Sequence, residues 1–224
     1  MAFYLTIDDG PSLRAQEKLD FLSAKGITAI WFLLGQNIEK NKEAAIEAVQ
    51  RGHILGNHSY SHPHFPLTSV KAIREEIDKT EVLIEEIYKT AGVVRPTKLF
   101  RFPYGEQGGF LKRRILHKLL ESYGFQTGPF DSVQFGLLFR NKLGDPYWMW
   151  SYDTRDWAMN KEGIQHLTFE QISKNLDTYL QSYSPEKDQI ILMHDHEPTT
   201  HEFCKLIDRF LAHGVSFVPI NKLA

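Results

Sequence analysis

Two carboxylates stand side by side near the start of the chain, Asp8 and Asp9 in "TIDDGPS", where they break an apolar run and precede Gly10-Pro11. Further on, "NHSYSH" holds His58 and His62, four positions apart. In a helical turn or a compact loop that spacing directs two imidazoles to one point, as a tetrahedral metal requires. A catalytic zinc takes three protein ligands and leaves a position for water, so a carboxylate is needed to complete the set. Either Asp8 or Asp9 can supply it. The other, close to the water, could then act as general base, with the cation relieving the repulsion between two like charges. Taken alone, the same residues also read as a turn capping the next helix and as two histidines on a surface loop.

Such residues need elements that bring them together. Short β-type runs alternate with amphipathic helical patterns along nearly the whole chain, the signature of βα units around a parallel sheet or barrel. Strands are expected near "AFYLTI", "TAIWFLL", "HILGN", "KLFRF", "YWMWSY", "QIILM" and "VSFVP". A first helix is expected after Ser12, read as its N-cap, stopping before Gly26. The longest should run from about Ser69 to Thr90, with Val70, Ile73, Ile77, Ile84, Ile87 and Tyr88 on one face and a solvated charge run opposite. "YGEQGGF" and "GFQTGPFDSVQFGLLFRNKLGDPYW" read as loops with at most short pieces of structure. Against this pattern every reactive cluster falls at the C-terminal end of a strand or just beyond it: Asp8-Asp9, "NHSYSH", "RFPYG", "DTRDW" and "HDH". That is the face on which barrel and open α/β folds assemble active sites.

With 224 residues, the chain fits one domain spanning 1–224, of the size α/β barrels use. At 42% hydrophobic and 24% charged its composition is ordinary for a globular protein. A formal charge of -2 gives no electrostatic reason to expect nucleic acid or an anionic membrane as partner. The single cysteine, Cys204, excludes an internal disulfide framework and reads as a small buried hydrophobe. No signal-like segment or bilayer-spanning apolar stretch is evident, so the expected location is cytoplasmic unless the chain has been trimmed. The oligomeric state is left open.

In that order, "TIDDGPS", "HSYSH", "RFPYG", "DTRDW" and "ILMHD" resemble the five motifs of NodB-type polysaccharide deacetylases, carbohydrate esterase family four. The resemblance implies an α/β fold, a deformed (β/α) barrel of about seven parallel strands, and metal-dependent hydrolytic removal of N- or O-acetyl groups from sugars. It implies one divalent metal, zinc first, with cobalt or nickel as alternatives, held by Asp9, His58 and His62. Asp8 resembles the general base and His194 the general acid. Arg101 resembles the arginine that orients the base, and Asp156 the carboxylate that holds the acid histidine. The backbone N–H of Tyr104 would help hold the oxyanion, and Trp157 and Leu192 would receive the acetyl methyl. Ile7 stands where the family usually has Phe, a packing change, and the stretch between Gly105 and Trp148 matches no family element, so substrate preference could lie there.

Several residues stay outside this set. His196, Glu197 and His201 in "HDHEPTTH", and His64, read as ordinary crowding of polar residues in βα loops rather than as a second metal centre. Tyr147, Trp148, Trp150 and Tyr152 alternate at strand period and read as packing, with sugar stacking as the minority reading. The leading expectation is a metal-dependent deacetylase acting on an N-acetylated, less readily O-acetylated, sugar, oligosaccharide or polysaccharide. The alternatives are a hydrolase of a non-sugar or cyclic amide, and a non-catalytic carbohydrate-binding protein on the same fold.

Overall fold

The structure, a computed structural model, describes residues 2–128, 148–184 and 186–219. Among them seven parallel strands occur: β1 (Phe3–Gly10), β2 (Ala29–Leu33), β3 (Ile54–Asn57), β4 (Lys98–Leu99), β5 (Phe125–Gln126), β6 (Tyr152–Asp153) and β7 (Gln189–His194). Five form one sheet in the order β3-β2-β1-β7-β6, and β4 pairs with β5. A single bridge between Asn57 and Phe100 joins the two walls. This is the α/β fold of the expected barrel, drawn out of regular shape.

Helices pack around the strands: α1 (Ala15–Ala24), α2 (Gly35–Lys40), α3 (Lys42–Gln50), α4 (Val70–Ala91), α5 (Phe110–Ser122), α6 (Phe169–Ser182) and α7 (Thr200–Ala212). None of them is long and apolar enough to cross a membrane. The longest, α4, is bounded as its sequence demands. Ser69 accepts a hydrogen bond from the Ala72 N–H at one end, and Gly92 takes the left-handed conformation at the other. Ile73, Ile77, Ile84, Ile87 and Tyr88 are buried along its inner face.

Strand alternation puts apolar side chains on both faces of the main sheet. Phe3, Leu5 and Ile7 of β1, Trp31 and Leu33 of β2, and Ile191 and Met193 of β7 pack outward with the helices. Tyr4, Ile30, Phe32, Ile54, Leu99, Trp148 and Ile190 fill the interior. Being buried on both faces is why these strands read as continuous apolar runs. At Gly56 an added Cβ would lie 2.4 Å from the Phe32 ring opposite it in register, so the aromatic fits only because that position lacks a side chain.

Some expected elements are shorter than their patterns. "KLFRF" keeps only Lys98–Leu99 as strand; beyond it Phe100 makes a single bridge to Asn57, whose carbonyl accepts from the Arg101 N–H. "YWMWSY" keeps Tyr152 and continues to Asp153, while Trp148 sits at φ 32, off any strand conformation, and Tyr147 lies outside the described residues. "VSFVP" reaches β1 through one bridge, Phe217 to Phe3. β5 is one short piece of structure inside "GFQTGPFDSVQFGLLFRNKLGDPYW", and α5 lies almost wholly between the two stretches read as loops; residues 129–147 lie outside the described ones.

Ser12 does not cap α1, which begins three residues later. Its N–H and Oγ donate instead to the two oxygens of Asp195, at 2.6 and 2.8 Å. Lys18 of α1 reaches the same carboxylate, and both side chains of that ion pair are fully buried. Removing one partner of a buried pair leaves an uncompensated charge, so Lys18→Met is expected to destabilise the fold by about 3–5 kcal/mol. Urea unfolding followed by circular dichroism measures this, and an unchanged midpoint would show that the pair carries no stability.

Candidate active site

The register of β1 and β7 pairs Asp8 with His194, so two reactive groups leave neighbouring strands at the same level. Successive residues of a strand face opposite sides, and by that rule Asp8 and Asp9 should point apart. They do not, because β1 carries an irregularity between Asp8 and Gly10 and Asp9 takes φ 69. The Asn37 side-chain amide donates to the Asp9 carbonyl at 2.7 Å and holds this turn in place. Both carboxylates consequently line one cleft of about 580 Å³.

Asp8 is buried, and Arg101 Nη1 donates to its Oδ1 at 2.7 Å. The guanidinium is itself fully buried. It donates through Nε to the Trp148 carbonyl and through Nη1 to Thr6 Oγ1, and lies 4.3 Å from the Phe32 ring centroid. Three fixed partners leave Asp8 little choice of rotamer. Its other oxygen lies 3.6 Å from His58 Nε2.

Asp9 Oδ1 lies 3.6 Å from His58 Nε2 and 3.4 Å from His62 Nε2, and it is buried without a hydrogen-bond partner. The His58 Nδ1–H donates to the Arg101 carbonyl at 2.8 Å, which turns the Nε2 lone pair toward Asp9. His62 is placed by a loop in which both Ser59 and His62 have positive φ, so the i, i+4 pair converges through a compact loop rather than a helix. Burial, followed by the neighbouring His58, pulls the His62 pKa down to about 4 against the opposing pull of Asp9 and Asp8. Burial acts to raise the Asp9 pKa, but its His196 hydrogen bond and the surrounding imidazoles outweigh this and hold it well below the carboxylate range. One unpartnered carboxylate oxygen facing the Nε2 atoms of two imidazoles is the donor set a divalent ion takes, and these three residues fit one.

Across the cleft, His194 Nδ1 donates to Asp156 Oδ1 at 2.8 Å, and the His194 backbone N–H donates to Oδ2 at the same distance. Thr154 Oγ1 donates to Asp156 as well. Burial alone would lower the His194 pKa, but the charge and hydrogen bond of Asp156 push it up to about 10. The imidazole therefore carries a proton at neutral pH, with Nε2–H left for the cleft. Asp153, Asp156 and His194 also lie close enough to be a metal trio. The donors of Thr154, Trp157 and His194 itself already serve these carboxylates, so this group is built to hold a protonated imidazole.

Trp157, Leu192 and Tyr104 line the same cleft, with Trp150, Asp153 and His196. The Trp157 indole N–H donates to Asp153 at 3.3 Å. Tyr104 takes φ 56 in the turn after β4, and its ring lies flat on His64 at 4.0 Å while Glu106 holds the His64 ring at 2.9 Å. All ten residues singled out in the sequence thus gather at this cleft, eight on its surface and Arg101 and Asp156 directly behind.

Three features were not read from the sequence. Asp153, the first residue of "DTRDW", received no role, although its place in the motif was a signal. Trp150 was counted with packing aromatics and in fact reaches the cleft wall; Trp148 and Tyr152 do pack, the latter stacked on Tyr179 at 4.0 Å. His196 was read as loop crowding, yet its Nε2 lies 3.0 Å from Asp9 Oδ2. Glu197 and His201 belong to no metal-ligating group among the described residues, and Cys204 is half-buried with its thiol pKa raised by burial.

Residues 2–128 match the family model described as polysaccharide deacetylase. A peptidoglycan-N-acetylglucosamine deacetylase of Bacillus cereus is 40% identical over 103 residues, 46% of this chain and 36% of the relative. A solved structure of a peptidoglycan N-acetylglucosamine deacetylase superposes with a TM-score of 0.69 at 25% identity, covering 99% of this chain and 87% of the other. A mutant, with restored enzymatic activity, of a pseudoenzyme from carbohydrate esterase family four superposes at 0.68 with 23% identity, over 99% of this chain and 66% of the other, a likeness of fold alone. The curated relatives it matches are longer proteins, of which this chain spans between 15% and 65%.

Proposed function

Because the chain belongs to the polysaccharide deacetylase family, we propose that it is a metal-dependent hydrolase that removes the acetyl group of an N-acetylated sugar within an oligosaccharide or polysaccharide. The observation that carries this reading is the convergence of three prepared groups on one cleft: an Arg101-held carboxylate, an Asp156-held imidazolium and the Asp9–His58–His62 donor trio. The peptidoglycan N-acetylglucosamine deacetylases among the relatives favour an N-acetyl over an O-acetyl group.

Asp9, His58 and His62 would hold a divalent ion, which would supply a Lewis acid for the acetyl carbonyl and lower the pKa of water at the site; their oxygen and imidazole donors suit zinc. Asp8, aimed by Arg101, accepts the proton of the attacking water. The backbone N–H of Tyr104 donates to the oxyanion of the tetrahedral intermediate. His194 delivers its proton to the leaving nitrogen, so the amine departs neutral, and Asp156 keeps that proton available. Trp157 and Leu192 give the acetyl methyl an apolar seat beside these groups. No covalent intermediate is needed.

The test is acetate release by purified protein reconstituted with zinc or cobalt, over N- and O-acetylated sugars from monosaccharide to polymer, with simple amides alongside. Release from N-acetylated sugars is expected. Activity on the amides alone would reject the sugar assignment, and sugar binding without turnover would place the chain with the pseudoenzyme that shares its fold.

The acid has its own test. A folded-state pKa raised above the ordinary value of 6.5 means that the proton's contribution to stability is complete below that pH and is lost as pH rises through about 10. Activity that depends on the same proton should fall over the same alkaline range. Asp156→Asn removes the charge that opposes burial, so the alkaline limb of kcat/KM is expected to move down by several pH units and neutral-pH activity to drop by about 10²–10⁴-fold. An alkaline limb left in place would assign it to another group.

A further inference from the structure

The side chain that fixes the direction of Asp9 lies outside the proposed catalytic set. We propose that His196 is a positioning residue for the candidate metal site, holding Asp9 Oδ2 so that Oδ1 stays aimed between His58 and His62. This rests on the reading of Asp9, His58 and His62 as metal ligands.

The terminal torsion of an aspartate is broad, so backbone geometry alone does not decide where its two oxygens point. In Asp9 the two oxygens differ. Oδ1 faces His58 and His62 and accepts no hydrogen bond, while Oδ2 lies 3.0 Å from His196 Nε2. Which ring nitrogen of His196 carries the proton follows from its other neighbour. The Asn160 side-chain amide lies 3.1 Å from Nδ1 and can only donate there, which leaves the hydrogen on Nε2, aimed at Asp9. A relay of two donors, Asn160 to His196 to Asp9, therefore ends on the carboxylate.

The loop that carries His196 is anchored. Lys18 Nζ donates to the His196 carbonyl at 3.0 Å and pairs with the adjacent Asp195, which also accepts the Ser12 N–H and Oγ–H from the turn after Asp9. The loops following β1 and β7 are thereby clamped to each other, and the imidazole reaches Asp9 from a fixed base. Partners that orient ligating groups typically contribute 10–100-fold to metal affinity.

The experiment titrates metal-free protein with zinc against a chromophoric chelator and records the visible spectrum of the cobalt form. His196→Ala is expected to weaken zinc binding by about 10–100-fold while the cobalt bands keep their positions. His196→Gln, whose amide can still donate to Asp9, should recover most of that loss. Asn160→Ala, which leaves the ring in place, should show a smaller loss in the same direction and serves if His196→Ala fails to fold by circular dichroism. Unchanged affinity in His196→Ala or Asn160→Ala would overturn the proposal. So would a cobalt spectrum altered as in His58→Ala, which would make His196 a direct ligand. Asp9→Ala separates the two levels: if it binds zinc like the wild type, the ligand trio itself is wrong and the role of His196 falls with it.

Discussion

Asp8→Asn is expected to lower kcat by about 10²–10⁴-fold, the usual contribution of a positioned general base, while the protein keeps its metal. The substitution preserves shape, and the new amide oxygen can still accept from Arg101, whose Nη1 now lies 2.7 Å from Asp8 Oδ1. What it removes is the carboxylate beside the donor trio that is placed to take a proton from water. It also removes the charge facing a fully buried guanidinium. Breaking a buried pair is costly, so the variant should melt earlier than the wild type even though it folds. Metal content separates the roles of the two adjacent carboxylates. A variant that hydrolyses substrate at the wild-type rate with metal bound would show that Asp8 is not the base. One that loses its metal would show that Asp8 is a ligand and that the assignments of Asp8 and Asp9 are reversed.

The second large effect concerns the trio. His58→Ala and His62→Ala each remove one of three protein donors, and the loss of affinity should exceed the 10–100-fold that follows from disturbing a ligand's supporting partner. The purified variants should hold substoichiometric metal by elemental analysis, and a chelator should strip the wild type of activity that added zinc or cobalt restores. The two variants should differ in one respect. His58 Nδ1 is tied to the Arg101 carbonyl, so its removal also leaves that carbonyl, on the residue that aims Asp8, without this partner. Among the described residues His62 makes no such bond to Arg101, and excess metal should recover more activity in His62→Ala than in His58→Ala. Stoichiometric metal in both variants would rule out this trio.

Much of the site was legible because its residues sit where chain periodicity changes. Asp8 and Asp9, Arg101 and His194 each fall at or just after an apolar run, and the βα pattern puts all such ends on one face. Apolar strands and the apolar face of the helix expected from about Ser69 to Thr90 are local signals, governed by a few neighbouring residues, and the structure follows them. Ser12 shows the limit of local reasoning. A hydroxyl before a helix reads as a cap, but the buried carboxylate of Asp195, distant in sequence, offered it a stronger partner.

By itself the sequence determined the alternation of strands and helices, the placement of reactive residues at strand ends, and the ordered motifs by which the family is recognised. These depend on residue type and spacing along the chain. Only the tertiary structure decided that Asp8 and Asp9, which strand geometry would point apart, face one cleft. That outcome depends on a left-handed turn at Asp9 held by Asn37. Only the tertiary structure gave Asp9 to His196, whereas the motifs had already pointed Arg101 to Asp8. Which of two adjacent carboxylates meets which partner is set by contacts between loops far apart in the chain, and no spacing in the sequence encodes the direction in which a side chain turns.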